Sequence, residues 1–134
     1  MRVVLANGCF DILHSGHVEH LEQAKTFGDF LVVALTLDFA VNKGPGRPIY
    51  RWCDRAKVLN ALRCVDSVVP SRSAVEAIRS VRPDIFVKGI DYSQGDIWTE
   101  DVDAACKEVG ARLQFTTTPK KSATDAIKKT MENI

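Results

Sequence analysis

The sequence lacks any clustered cysteine motif. Its four cysteines, Cys9, Cys53, Cys64 and Cys106, are far apart and include no Cys-x-x-Cys pair. This spacing argues against a zinc ribbon and against the disulfide framework of small secreted domains. We therefore predict that all four cysteines are reduced thiols.

The sequence also lacks long apolar runs and an excess of charge of one sign. No apolar stretch approaches the roughly 20 residues that span a bilayer, and the first residues form a strand-like run without the features of a signal peptide. The 18 Lys and Arg residues nearly balance the 17 Asp and Glu residues, which gives a formal net charge of +1. A general positive field for nucleic acid or an acidic membrane is therefore excluded. We expect a cytoplasmic protein that binds neither partner and holds any anion at a local site.

The remaining composition is that of a globular protein. Hydrophobic residues make up 46% and charged residues 26% of the 134 positions, and these fractions suit one folded core. No internal repeat, low-complexity tract or linker interrupts the sequence. We therefore predict a single domain over residues 1–134.

Short apolar runs alternate with segments of helical spacing along the whole chain. The runs predict five strands, at residues 2–6, 30–35, 67–69, 85–87 and 113–115. Helical spacing predicts a first helix from near His17 to a stop at Gly28, and further helices at residues 52–62, 74–81, 101–109 and 124–131. This alternation predicts an α/β fold, a Rossmann-like doubly wound parallel five-stranded sheet with helices on both faces.

Ligands of such sheets bind beyond the carboxyl ends of the strands, where the strand order reverses. This rule selects the loops at residues 7–16, 38–47, 88–92 and 116–122. The polar and glycine-rich residues of the chain are concentrated in the same loops. We therefore expect the functional site to be assembled from them.

The first of these loops and the start of the first helix have the sequence Asn-Gly-Cys-Phe-Asp-Ile-Leu-His-Ser-Gly-His, at residues 7–17. Backbone amides and the positive end of a helix dipole converge at such a junction and favour a phosphate group. Gly16 permits close approach of the backbone, and His14 and His17 can donate hydrogen bonds to phosphoryl oxygens. Phosphoryl and nucleotidyl transfer need positioning and charge stabilisation rather than a nucleophilic residue, so this pair meets the main requirement.

This segment resembles the signature of the cytidylyltransferase-like nucleotidyltransferase superfamily. Residues 43–48, 54–66 and 87–92 also resemble it, most closely the adenylyltransferase domain of ADP-heptose synthases and the glycerol-3-phosphate cytidylyltransferases. The resemblance covers nearly the whole chain. It implies an enzyme that joins a phosphorylated small molecule, such as heptose 1-phosphate, to the AMP part of ATP and releases pyrophosphate. Cytidylyl transfer from CTP to glycerol 3-phosphate or a similar alcohol phosphate is the alternative.

The resemblance also implies roles for individual residues. The implied catalytic residues are His14, His17 and Lys43, of which the histidines stabilise the α-phosphate and Lys43 holds phosphate. The implied nucleotide-binding residues are Gly8, Cys9, Phe10, His14, Gly16, His17, Lys88, Gly89, Asp91, Thr117, Ser122 and Thr124. The implied acceptor-binding residues are Asp11, Arg47 and Arg55, with Asp11 facing the acceptor or a hydrated metal. Mg²⁺ is expected to arrive with the nucleoside triphosphate, without a metal site in the protein, and a homodimer is an expected assembly because relatives often form one.

One segment departs from the family pattern. Relatives usually have Gly-x-Ser-Thr-Thr before the last helix, whereas this chain has Lys-Ser-Ala-Thr at residues 121–124. The hydroxyls of Ser122 and Thr124 are kept, but the glycine and one hydroxyl are not. The departure bears on the preference for nucleotide or acceptor more than on the reaction.

Two functions of other classes stay open. His14, His17 and His20 are spaced to share a helical face and could bind zinc, although no Cys, Asp or Glu at suitable spacing completes a tetrahedral site. The same fold could also serve as a nucleotide-binding module without catalysis, because a fold does not fix an activity.

Overall fold

Parallel strands and α-helices alternate throughout the computed structural model, which describes residues 1–89, 100–117 and 123–132. Within these ranges the strands are β1 (Val3–Gly8), β2 (Phe30–Thr36), β3 (Ser67–Ser71), β4 (Ile85–Gly89) and β5 (Arg112–Thr116). The helices are α1 (Ser15–Lys25), α2 (Trp52–Asn60), α3 (Ala74–Val81), α4 (Glu100–Val109) and α5 (Ala123–Glu132), with a short 3-10 turn at Asp38–Ala40. No helix within these ranges is long and apolar enough to span a membrane.

The five strands form one sheet in the order β3-β2-β1-β4-β5, and every neighbouring pair is parallel. The chain adds β2 and β3 on one side of β1 and then returns to add β4 and β5 on the other side. Strand order therefore reverses beside β1, and its carboxyl end is the position at which such sheets bind ligands. The predicted α/β fold class is confirmed.

The core lies on both faces of the sheet, because successive side chains of a strand point to opposite faces. Val4 in β1 packs on the face covered by α1 and α2, while Leu5 packs on the face covered by α3 and α4. Both residues are fully buried. Strands buried on two faces are apolar along their whole length, which explains the runs in the sequence.

The ends of several elements differ from the prediction. β1 continues two residues beyond the predicted end at residue 6, and its ladder with β2 runs to the pair Gly8↔Leu35. The apolar pattern stops where the strand becomes polar, whereas the backbone ladder does not require apolar side chains. Helix α1 begins at Ser15, two residues before the predicted start, because His14 caps it.

The predicted helix stop at Gly28 is wrong. Helix α1 ends at Lys25, and Thr26 forms its C-cap in the right-handed helical conformation. Gly28 instead lies where the chain passes the first strand at close range. A β-carbon at this position would lie 2.6 Å from Val4 Cγ2 and 2.8 Å from the Arg2 carbonyl oxygen. The glycine is therefore needed for packing and not for ending the helix.

Replacement of Gly28 by alanine is expected to lower the free energy of unfolding by about 1–3 kcal/mol, the usual cost of overpacking a filled core. The Arg2 carbonyl is backbone and cannot move aside as a flexible side chain would. Urea denaturation measures the effect. Lys57→Ala, at an exposed position of α2, is the control and is expected to change stability by less than about 0.5 kcal/mol. Equal stability of the two variants would contradict this account of Gly28.

Candidate active site

The two predicted histidines form a reciprocal cap at the start of α1. His14 is the N-cap residue in an extended conformation, and its Nδ1 accepts a hydrogen bond from the Gly16 backbone amide at 3.1 Å. The His14 amide in turn donates to Nδ1 of His17 at 3.2 Å. The two rings are stacked, with centroids 3.8 Å apart. The arrangement holds both rings at the carboxyl end of β1.

The cap also fixes the protonation of the two rings. A neutral imidazole that accepts through Nδ1 carries its proton on Nε2, so both rings are protonated at Nε2 in this arrangement. The His14 Nε2 atom lies below the protein surface. Burial lowers the pKa of His17 to about 4, and the charge of Lys43, together with any positive charge on His14 or His20, adds to this effect. His17 is therefore a neutral hydrogen-bond donor at neutral pH.

One expectation for this junction needs correction. The Gly16 amide, expected to approach a phosphate, donates to the His14 ring, and the His17 amide donates to the His14 carbonyl at 3.0 Å. The helix start thus uses these amides internally. These two amides are therefore not the donors that the capped helix offers to a ligand.

The loop before the helix is held in a strained conformation. Phe10 has a φ angle of 47°, in the left-handed region that non-glycine residues rarely adopt. This conformation places the buried Phe10 ring edge-on to His17, with centroids 5.2 Å apart. Gly8 leaves room for the ring, since a β-carbon there would lie 2.9 Å from Phe10 Cε2. Strain of this kind persists where the surrounding structure fixes it, often at functional sites.

Lys43 lies in an exposed loop on the same side of the sheet as the histidines. Its ammonium group is close enough to His17 to contribute to the lowered pKa of that ring. Gly44 and Gly46 follow with φ angles of 98° and 77°, which allow the loop to turn back toward Arg47. The expected role of Lys43 in holding phosphate stays a prediction, and the charge that Lys43 exerts on His17 is consistent with it.

Asp11 is bound by other groups of the protein in this structure. Its side chain is fully buried, and its carboxylate accepts hydrogen bonds from Arg47 Nε at 3.0 Å and from the amides of Ile49 and Tyr50 at 2.7 and 3.0 Å. Arg47 also donates to the Asp11 carbonyl. Burial raises the pKa of Asp11, but the hydrogen bonds and the Arg47 charge outweigh it and hold the pKa below its ordinary value. These contacts give Asp11 and Arg47 a structural role, and the acceptor contact expected of them stays a prediction.

Arg55 is likewise buried and occupied by the protein. Its guanidinium group donates to the carbonyls of Cys9, Thr36 and Tyr50, each at 2.9 Å, and forms an ion pair with Asp38 at 2.6 Å. It therefore ties the loop after β1 to the end of β2. The expected acceptor contact of Arg55 is not supported by this geometry.

Lys88 and Gly89 form the carboxyl end of β4, beside Phe115 and Thr116 of β5. The Lys88 side chain is almost completely buried on the face covered by α4, with Nζ 5.4 Å from the centre of the Phe86 ring. Burial lowers its pKa, and Cys106 opposes this change. Lys88 therefore lies on the other face of the sheet from α1, and the structure does not bring its ammonium group to the histidine pair.

Helix α1 also contacts the end of β5, which the sequence analysis did not predict. His20 Nδ1 and Thr116 Oγ1 share a hydrogen bond of 2.7 Å, and Gln23 bonds to Thr117. The sequence contains a signal for this contact, because His17, His20 and Gln23 are spaced three residues apart and therefore lie along one side of the helix.

Of the other predicted residues, Asp91 and Ser122 lie outside the described residues, and Thr124 falls in the first turn of α5.

The described residues do not contain a metal-binding cluster. No three His, Cys, Asp or Glu side chains within residues 1–89, 100–117 and 123–132 converge on one point. Two carboxylates lie close to the loops of the site, those of Asp11 and Asp38, and they form ion pairs with Arg47 and Arg55. The Nδ1 atom of each of the three histidines, His14, His17 and His20, takes part in a hydrogen bond within the protein.

Comparison with known proteins points to one family. Residues 5–129 match the family model described as cytidylyltransferase-like. The bifunctional protein HldE of Azorhizobium caulinodans is 47% identical over 109 residues, which are 78% of this chain and 23% of that protein. The bifunctional protein HldE of Aliarcobacter butzleri is 40% identical over an alignment that covers 98% of this chain and 27% of that protein. The chain thus spans about a quarter of the length of these curated relatives.

Solved structures agree with this match. The lipopolysaccharide core biosynthesis protein from Thermoplasma volcanium superposes with a TM-score of 0.73 at 27% identity, covering 91% of this chain and 99% of that one. Thermotoga maritima TmcAL, solved with α-thio ATP, superposes with a TM-score of 0.72 at 16% identity over 99% of this chain and 51% of that one. The second likeness concerns the fold alone.

Proposed function

This chain belongs to the cytidylyltransferase-like family and is a nucleotidyltransferase, and we propose that it transfers the AMP part of ATP to a phosphorylated sugar such as heptose 1-phosphate. A phosphate oxygen of the sugar attacks the α-phosphorus, the bond from that phosphorus to the bridging oxygen breaks, and pyrophosphate leaves with the electron pair. No covalent intermediate with the protein is formed. Residues 1–134 carry this reaction as one domain.

The observation that carries the proposal is the reciprocal cap of His14 and His17 at the carboxyl end of β1. The backbone occupies Nδ1 of both rings, so His17 donates to a phosphoryl oxygen through its Nε2–H group, and His14 holds that ring in place. Donors that are fixed before the substrate binds need no rearrangement as charge develops, which is the main source of electrostatic catalysis. Because His17 is neutral, it donates this bond without carrying a net charge.

Lys43 supplies the positive charge that the two neutral rings lack. Its loop is exposed, and its charge already acts on His17. A flexible lysine on an exposed loop can follow the phosphates of a bound nucleotide during transfer. We therefore assign Lys43 to the triphosphate and His17 to the α-phosphate.

In the proposed reaction, Mg²⁺ binds as part of the nucleotide substrate. Asp11 and Asp38 are committed to Arg47 and Arg55, so the carboxylates described around these loops do not form a set of magnesium ligands. A magnesium ion bound mainly through substrate phosphates needs few protein ligands. The residues present therefore fit a metal that is carried by the triphosphate.

The choice of a sugar phosphate rests on similarity. The sequence resembles the adenylyltransferase domain of ADP-heptose synthases, and a relative of similar length from Thermoplasma volcanium is named a lipopolysaccharide core biosynthesis protein. The family description instead names cytidylyl transfer, which supports CTP and an alcohol phosphate as the second candidate.

A matrix of pyrophosphate-release assays tests the proposal. Each of the four nucleoside triphosphates is paired with heptose 1-phosphate, glycerol 3-phosphate or another sugar phosphate, with Mg²⁺ present. We expect the highest kcat/KM with ATP and heptose 1-phosphate. The highest value with CTP and glycerol 3-phosphate would establish the second candidate. Nucleotide binding without turnover for any pair would indicate a non-catalytic module and would exclude the proposed reaction.

A further inference from the structure

Helix α1 carries a second polar stripe behind its cap. His20 follows His17 by one helical turn, and its Nδ1 lies 2.7 Å from Oγ1 of Thr116 at the end of β5. Thr116 is completely buried and His20 is partly buried, so this hydrogen bond is protected from water. A buried hydrogen bond between side chains of distant segments fixes their relative position more firmly than an exposed one does.

The next residue of the stripe makes a second connection to the same place. The Thr117 amide donates to Gln23 Oε1 at 2.9 Å, and Gln23 Nε2 donates to Thr117 Oγ1 at 3.2 Å. Gln23 therefore holds both the backbone and the side chain of Thr117. Two successive residues at the end of β5 are thus bonded to one helix, the helix that carries His17.

The end of β5 needs such support because β5 is the last strand of the sheet on its side. Among the described residues it pairs with β4 alone, and the ladder ends at Gly89↔Thr116. A strand with one neighbour is held by hydrogen bonds along one edge only. The bonds from α1 give the end of β5 a second anchor and set its distance from the histidine pair.

We propose that His20 is a positioning residue of the nucleotide site, which holds Thr117 at a fixed distance from His17 through the buried hydrogen bond to Thr116. This inference rests on the proposed function. Gln23 both accepts from and donates to Thr117, which holds Thr117 at the surface. The Thr117 hydroxyl can there reach a phosphate of the same nucleotide that His17 contacts at the α-phosphate. His20 itself does not touch the nucleotide.

The role predicts an effect on binding rather than on the chemical step. His20→Leu and Thr116→Val are each expected to raise the Kd and KM for ATP about tenfold and to change kcat less than about threefold. Each variant removes the same hydrogen bond between His20 and Thr116, and the expected loss of affinity is roughly that of one hydrogen bond. His20→Asn keeps a hydrogen-bonding atom near the position of Nδ1 and is expected to restore most of the affinity. The double variant is expected to resemble either single variant, because coupled residues are not additive.

Calorimetric titration with ATP and steady-state pyrophosphate release provide the two readouts, with CTP replacing ATP if the nucleotide matrix selects it. Glu22→Ala, at an exposed position of the same helix, is the matched control and is expected to leave both constants unchanged. Thr116→Val preserves the shape of the buried side chain, so it keeps the test valid if His20→Leu does not fold.

Several outcomes overturn the inference. Unchanged Kd and KM in Thr116→Val, a loss confined to kcat, or fully additive effects in the double variant would each exclude a positioning role for His20. Failure of the proposed function is seen separately, as absence of turnover in the wild-type protein. The ATP affinities still decide the role of His20 in that case, and a wild-type protein that binds no nucleotide overturns both.

Discussion

His17→Ala is expected to lower kcat for pyrophosphate release by about 10²–10³-fold, the usual cost of one lost transition-state donor. The KM for the nucleotide is expected to change much less, because the hydrogen bond strengthens as charge develops on the α-phosphate. His17 is suited to this role because burial, with a smaller contribution from neighbouring charge, lowers its pKa to about 4, so the ring is neutral at neutral pH. Steady-state assays over a range of nucleotide concentrations separate the two constants.

A second variant separates catalysis from helix capping. His17 Nδ1 accepts the His14 amide, so His17→Ala removes a capping acceptor together with the Nε2–H donor. His17→Asn can keep an acceptor near the position of Nδ1 but has no group at the position of Nε2. We expect His17→Asn to lose as much kcat as His17→Ala while keeping more of the wild-type stability. Full turnover in His17→Asn would show that the Nε2–H donor is not used.

The pH dependence of the free energy of unfolding, compared between the wild-type protein and His17→Asn, supplies a further check on His17. The folded protein protonates this ring only near pH 4, whereas the unfolded chain does so near the ordinary value of 6.5. The unfolded state therefore binds more protons between these values, and the free energy of unfolding decreases as the pH falls from 6.5 to 4. Above pH 6.5 both states are neutral and His17 contributes no slope. The decrease is expected to be smaller in His17→Asn, in chemical denaturation measured at several pH values.

Much of the fold could be predicted because its signals are local. An apolar run such as residues 30–35 is buried on both faces of the sheet. The bounds predicted for α3 from helical spacing are those observed, and in the structure Ser73 caps the start of this helix. The polar ends of the strands could not be predicted, since the hydrogen-bond ladder of β1 continues through Asn7 and Gly8 after the apolar pattern has stopped.

The site was harder to predict because the same residue types serve two purposes. An aspartate and two arginines near the carboxyl edge of a sheet suit a phosphorylated acceptor. In this structure, however, Asp11 binds the loop that carries Arg47, and Arg55 of α2 binds the loop that follows β1. Their spacing along the chain does not show which partner each will find, because those partners are carbonyls and amides brought close only by the fold. His20 was missed for the same reason, since Thr116 is 96 positions away in the chain.

Asp11→Ala is expected to lower the free energy of unfolding by about 3–5 kcal/mol, the range for removing one partner of a buried ion pair. The change deprives the Arg47 guanidinium of its carboxylate and leaves the amides of Ile49 and Tyr50 without this acceptor. Asp103→Ala is the matched control, because it removes an ion pair with Lys107 that is largely exposed. A loss of at most about 1 kcal/mol is expected there.

The lowered pKa of Asp11 gives this prediction a pH signature. Its carboxylate is held ionised by Arg47 and by two amides, so the folded state keeps the charge to lower pH than the unfolded chain does. The contribution of the Asp11 carboxylate to the free energy of unfolding is fully present above its ordinary pKa of 3.8, and it is lost as the pH falls below that value. Wild-type protein is therefore expected to lose stability in this range more steeply than Asp11→Ala in chemical denaturation.

The same variant decides between the two interpretations of Asp11. If the carboxylate binds the acceptor, Asp11→Ala raises the KM for the acceptor and leaves stability near that of the wild-type protein. If it holds the loop at residues 47–50, stability falls strongly, and kcat falls with it, because the displaced loop is continuous with the segment that carries Lys43. The free energy of unfolding and the KM for the acceptor, both measured on Asp11→Ala, therefore change in different ways for the two roles. The three protein donors around the Asp11 carboxylate favour the role of holding the loop.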